Sequence, residues 1–144
     1  MSTHMIKLVV GIETLQDFFE LQKREAVEYY GQKAVPCWTR YKPRQADDII
    51  RSEGSIYRVI KNRIQCRAKI LGFEMVETDN GTKCMIMQST EMVQTISTPR
   101  RPFQGWRYLK PADVPEDRGL YLGHDTCDTP PEDMKDELEE MGLL

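Results

Sequence analysis

The stretch that most constrains what this chain can fold into runs from Arg63 to Ile70, where Ile64, Cys66, Ala68 and Ile70 alternate with Arg63, Gln65, Arg67 and Lys69. A period of two gives a strand one apolar face and one polar face. A helix over Ile56 to Leu71 would also gather Ile56, Val59, Ile60, Ile64, Ile70 and Leu71 on one arc. It would drive Arg63 and Arg67 into the middle of that arc, where unpaired charge is expensive to bury. Both patterns are present; the strand reading is preferred, with a turn at Lys61-Asn62.

The rest of the chain supplies partners for these strands. Asp79-Asn80-Gly81 is a hairpin signal between an apolar run ending at Val76 and another from Cys84 to Met87. Met5 to Val10 reads as a short strand ended by Gly11, Val35 to Tyr41 as a second, and Gly105 to Leu109 as a further one. Thr14-Leu15-Gln16-Asp17 has the form of a helix N-cap. Leu15, Phe18, Phe19, Gln22, Ala26, Tyr29 and Tyr30 then recur at helical spacing up to Gly31, their aromatic stripe facing the core. Pro43 opens a short helix over Arg44 to Arg51, closed by Ser52-Glu53-Gly54. The 144 residues suit one domain. The expected fold is α+β: an antiparallel, partly closed β-sheet with one main N-terminal helix over 1–115, followed by an acidic C-terminal extension over 116–144.

The net charge of -3 conceals blocks of opposite sign. Residues 1–32 hold three bases and five acids, residues 33–110 fifteen and seven, and residues 111–144 two and eleven, giving -2, +8 and -9. The middle is therefore a basic body and the end an acidic tail, with an amphipathic helix expected over Pro131 to Met141. A -9 tail tethered to a +8 body is expected to compete with any polyanion for it.

Several classes of chemistry find no footing. No run approaches the roughly 18 apolar residues of a membrane span, and no signal peptide opens the chain, so a cytoplasmic location is expected. Cys37, Cys66, Cys84 and Cys127 lie 29, 18 and 43 residues apart, neither a disulfide framework nor zinc arms, so reduced thiols are the default. Two histidines, His4 and His124, exclude most His-based metal sites and triads. There is no Gly-Lys step for a P-loop, no GxGxxG and no ExK nuclease step. No cofactor or metal is implied, and whether the protein is an enzyme stays open.

What the chain does offer is cation beside aromatic. On the strand reading Arg63, Gln65, Arg67 and Lys69 form a ladder of donors with a step of about 6.6 Å, twice the rise per residue. Arg40, Lys42 and Arg44 follow Trp38, Arg100 and Arg101 sit between Pro99 and Pro102, and Trp106 is joined by Arg107, Tyr108 and Lys110. These are the pairs used to hold phosphates and stack bases.

Four segments carry a resemblance to a known family: Thr39-Arg-Tyr-Lys-Pro-Arg44, Gly54-Ser-Ile-Tyr-Arg-Val-Ile-Lys61, Ile64-Gln-Cys-Arg67 and Pro99-Arg-Arg-Pro-Phe-Gln-Gly-Trp-Arg-Tyr-Leu-Lys110. Over Met5 to Pro115 the chain resembles a bacterial family catalogued as domain of unknown function 1489. It departs from the family pattern at Arg58, where Trp is usual, and at Asn62, where Gly is usual; Asn still tolerates positive φ. The first departure suggests a lost aromatic surface contact. The family has no assigned activity, so the resemblance implies no catalytic residue. The order of short helix, Gly54, strand, turn and strand also resembles the small PUA-like barrels that bind RNA or modified bases.

The leading expectation is a small RNA-binding or single-stranded nucleic-acid-binding module. Its basic patch comprises Arg40, Lys42, Arg44, Arg63, Arg67, Lys69, Arg100, Arg101, Trp106 and Arg107. The alternatives are an enzyme acting on an anionic small molecule or nucleotide, with Arg100-Arg101 as the anion clamp, or an adaptor docking an acidic partner. An inward carboxylate beside Trp106 and Arg107 favours the enzyme; an open basic groove favours binding.

Overall fold

The computed structural model describes residues 2–123. The strands are β1 (His4–Leu8), β2 (Val27–Tyr29), β3 (Gln32–Thr39), β4 (Ser55–Ile60), β5 (Arg63–Thr78), β6 (Gly81–Ser89), β7 (Val93–Pro99), β8 (Trp106–Leu109) and β9 (Asp117–Leu120). Two helices accompany them, α1 (Leu15–Glu25) and α2 (Ala46–Arg51), with a 3₁₀ turn at Pro111–Asp113. The fold is sheet-rich α+β, and the expected helix 131–141 and most of the acidic extension lie outside the described residues.

All nine strands join one sheet in the order β2-β3-β6-β5-β4-β1-β8, with β7 on β5 and β9 on β7. Pairing is antiparallel except between β1 and β4, which run parallel. The sheet is mixed and unclosed, so neither the partly closed sheet nor the PUA-like barrel is formed. Closure requires the two end strands to meet with matched tilt and stagger. Here β2 bonds to β3 and β8 to β1, at opposite ends of the path. The sixteen-residue β5 does the bending: its first half pairs β4 and β7, its second half β6, with a register shift between Ile70 and Gly72. The boundary expected at residue 115 falls between the 3₁₀ turn and β9, which is part of the sheet.

The Thr14 hydroxyl accepts the Asp17 N–H at 3.0 Å, so α1 starts where the sequence places it. It ends at Glu25 rather than Tyr30, because Ala26 turns extended and Val27 begins a strand. Tyr30 and Gly31 both take positive φ, 47° and 82°, and form the hairpin turn between β2 and β3. Strand pairing overrides the helical spacing of Tyr29 and Tyr30, and the Tyr29 hydroxyl donates to Glu74 at 2.7 Å. Lys61 and Asn62 take the left-handed conformation expected of a tight turn, with φ 52° and 63°. At the third hairpin Asp79 and Asn80 form the loop and Gly81, at φ 101°, re-enters the ladder opposite Thr78.

The core lies on both faces of the sheet. On one face Met5, Ile49, Ile56, Ile70 and Ile86 are sealed by α2, and Leu15, Phe18, Ile60, Cys66 and Met92 lie under α1. On the other, Ile6, Tyr57, Val59, Ile64 and Leu109 pack under Phe103 and Val114. Arg58 is only 7% exposed, so its position is interior and not the surface contact expected from sequence. Its guanidinium lies 5.0 Å from the Phe18 ring and donates to Gln88 Oε1 at 3.4 Å and the Leu8 carbonyl at 3.5 Å; Nε has no partner.

Candidate functional site

β8 is an end strand of the sheet, entered through Gly105 at φ 71°. Alternation turns Trp106 and Tyr108 to one face, where their half-buried rings meet edge to face at 4.8 Å and rest on the core. Arg107 turns the other way and, with Arg100, stacks on Phe103 at 5.3 and 5.7 Å. The Arg100 N–H donates to the Asn62 carbonyl at 2.8 Å, fixing this loop to the β4–β5 turn. Arg100, Trp106, Arg107, Tyr108, Lys110 and Asp113 together line a cleft of about 570 Å³ that wraps the sheet edge. Among the described residues the carboxylate that lines this cleft is Asp113, which is exposed.

The Tyr108 hydroxyl accepts the Gln45 N–H at 3.1 Å, so the loop bearing Arg40, Lys42 and Arg44 ends against the same aromatic pair. All three cations are exposed, with Trp38 (45%) and Tyr41 (68%) among them, and Arg40 lies 5.3 Å from the Tyr41 ring. Gln45, one residue past Arg44, is thus tied to a strand some 60 residues further along the chain. Arg101 is exposed on the neighbouring loop.

The expected ladder is not assembled. Cross-strand pairs run Tyr57 to Arg67, Arg58 to Cys66, then Val59 to Ile64 and Ile60 to Arg63, which leaves Gln65 as an extra residue on β5. Tyr57 and Ile60 point to opposite faces of β4, so Arg63 and Arg67 do as well. Ile64 likewise leaves the face of Cys66, Ala68 and Ile70 and joins Tyr57 and Val59. Each basic residue is also engaged within the protein. Arg63 donates to the Ser97 carbonyl at 3.2 Å, Lys69 pairs with Glu53 at 3.1 Å, and Arg67 grips Asp117 through two bonds of 2.8 and 2.7 Å. Asp117 belongs to the acidic block, so a carboxylate of that block neutralises an arginine of the basic body.

Sequence reasoning missed a second cleft, of about 520 Å³, bordered by His4, Glu53, Ser55, Tyr57, Arg67 and Asp117. Lys110 and Asp113 line the first cleft, Pro111 and Val114 this one, so the 3₁₀ turn stands between them. Strands β1, β4, β5 and β9 each supply part of its floor. His4 Nδ1 accepts the Ser55 N–H at 3.0 Å, Arg67 Nη1 donates to Ser55 Oγ at 2.9 Å, and the His4 ring meets Tyr57 edge-on at 5.3 Å. Burial, then the Arg67 charge, lowers the His4 pKa, and burial raises that of Tyr57. The hydrogen bonds from Arg67 hold Asp117 below the usual carboxylate range, and Asp117 in turn raises Arg67. The signal in sequence was faint: one His, one Tyr and one Asp from three distant segments, with no shared spacing.

Cys37, Cys66 and Cys84 are buried free thiols, and burial pushes Cys66 up to about 12, which makes it unreactive. Among the described residues no grouping of His, Cys, Asp and Glu is arranged to hold a metal ion, and no helix is long and apolar enough to cross a membrane.

Fold and site define a sheet-rich α+β domain with a cationic, aromatic cleft on an end strand. The chain belongs to the family described as Protein of unknown function (DUF1489), whose model matches residues 5–144. No curated protein and no solved structure matches the chain.

Proposed function

We propose that this protein binds single-stranded nucleic acid, RNA foremost, through the cleft at β8. The observation that carries the reading is a single cleft lined by Arg100, Arg107 and Lys110 together with the Trp106–Tyr108 pair. Arginines held by Phe103 are positioned for phosphates, and a rigid aromatic pair offers a stacking surface to a base at ~1–3 kcal/mol per base. Arg40, Lys42 and Arg44 extend the path along the neighbouring loop. Arg63, Arg67 and Lys69, already engaged with Ser97, Asp117 and Glu53, contribute less than their formal charge.

A labelled oligonucleotide titrated at several salt concentrations tests this. Three neutralised phosphates give a log-log slope of about 2, at roughly 0.7 each. Trp106→Ala and Arg107→Ala should each weaken binding about tenfold, and Arg67→Ala little. Binding that ignores both cleft substitutions overturns the reading. A mononucleotide that binds as tightly as the oligonucleotide would move it to the anionic small-molecule alternative.

A further inference from the structure

We propose that the cleft floored by His4, Tyr57 and Asp117 is a second binding site, for an uncharged cyclic amide or imide such as the edge of a uracil-type or guanine-type base. The floor is built rather than incidental. Ser55 is 1% exposed and Tyr57 2%, and the polar groups here hold one another in fixed orientation. The Ser55 N–H occupies His4 Nδ1, so the neutral ring carries its proton on Nε2 and presents a donor. Tyr57 borders the same space, and its hydroxyl would serve as the second donor. A carbonyl oxygen has two lone pairs and can take both.

The opposite requirement is met at the rim. Glu53 and Glu116 border the cleft, and a carboxylate there accepts the N–H that adjoins the carbonyl of an amide or imide. Arg67, the cation of the floor, is matched by Asp117 in two bonds, so the site holds no surplus positive charge for a phosphate. That sets it apart from the cleft at β8, where three cations surround one exposed acid. A volume of about 520 Å³ accommodates one base with its sugar, walled by Pro111 and Val114. A donor pair beside an acceptor selects uracil and guanine edges, which carry a carbonyl next to an N–H. It rejects adenine, which has no carbonyl. Because nucleosides carry no phosphate, this inference stands apart from strand binding.

The test titrates the full chain with uridine, guanosine, adenosine and N3-methyluridine, following the His4 imidazole resonances. Uridine or guanosine should shift them saturably. Adenosine and N3-methyluridine should bind at least about tenfold more weakly, because each leaves a polar group of the site unmatched. Tyr57→Phe keeps the ring and removes one donor, so it should weaken uridine about fivefold while the melting temperature stays near wild type. Should that variant melt early, the comparison of uridine with N3-methyluridine on the unaltered protein decides alone. The proposal fails if no nucleoside shifts His4 saturably, if adenosine binds as well as uridine, or if N3 methylation makes no difference. None of these outcomes bears on the oligonucleotide titration.

Discussion

The two clefts flanking the Pro111–Asp113 turn are similar in volume and opposite in construction. The β8 cleft draws its lining from residues 100–113, and two of its cations, Arg100 and Arg107, rest on one aromatic ring, Phe103. The polar cleft takes its floor from four strands, and its charges are answered internally. The same residue type shows the difference. Arg107 has an aromatic partner and an open face, whereas Arg67 has a carboxylate gripping it and a serine beneath it. Loss of Arg107 from the first cleft should therefore be read in binding, and loss of Arg67 from the second mostly in stability.

The largest effect should come from Gly54→Ala, which strikes the polar cleft from behind. A Cβ there would lie 1.9 Å from the Thr3 carbonyl oxygen, a backbone atom with nowhere to go, at the point where α2 hands over to β4 beside β1. We expect a loss of about 3 kcal/mol, roughly 10 °C in melting temperature by calorimetry. A near-native melting point would mean that β1 is loosely held and the cleft floor is not fixed.

Next comes the contrast between arginines. Arg67→Ala should cost about 1 kcal/mol, since the pair with Asp117 is bidentate but the Asp117 side chain remains 42% exposed. Arg107→Ala should change stability by less than about 0.5 kcal/mol in the same denaturant titration. Equal losses would erase the distinction drawn between the clefts.

The smallest effect is a matter of pH. The His4 pKa is lowered on folding, so the unfolded chain takes up a proton that the folded chain declines, and stability falls as the pH drops below about 6.5. Asp117 is also lowered; its contribution is complete above 3.8 and is lost as the pH falls through the folded value. His4→Asn keeps an oxygen able to accept the Ser55 N–H and should flatten the upper step only. Melting curves from pH 7.5 down to 3 would show two steps in the wild type and one in the variant.

What the sequence could disclose follows the same division. Alternation, turn residues and the Thr14 cap are local signals, and they placed β4, β5, β8, two hairpins and the start of α1. The cluster of Arg100, Trp106, Arg107 and Lys110 was legible because its members are neighbours. Three things were not. The extra residue at Gln65 leaves no mark in a simple alternation, yet it sends Arg63 and Arg67 to opposite faces. Tyr29 and Tyr30 keep helical spacing while serving a strand and a turn, because pairing with β3 outweighs period. The polar cleft depends on β1 lying parallel to β4, about 50 residues away, and on β9 returning to β7 across 22 to 27 residues, and no short-range pattern encodes pairings at such separations.

The place of β1 also bears on the order in which the molecule can be made. It precedes the other described strands in the chain, but its two neighbours are β4 and β8, and His4 finds Leu109 only after about a hundred further residues have been added. Chains are synthesised at about 5–20 residues per second, so this apolar strand waits for many seconds without both partners. Pairings of such long sequence separation form late and slowly. The hairpins of β4 to β6 can close during that wait, β1 can then pair with β4, and β8, which bonds to β1, joins after it. The last edge of the described sheet is thus laid down on its first strand, and the register of His4 with Leu109 is fixed only when β8 arrives.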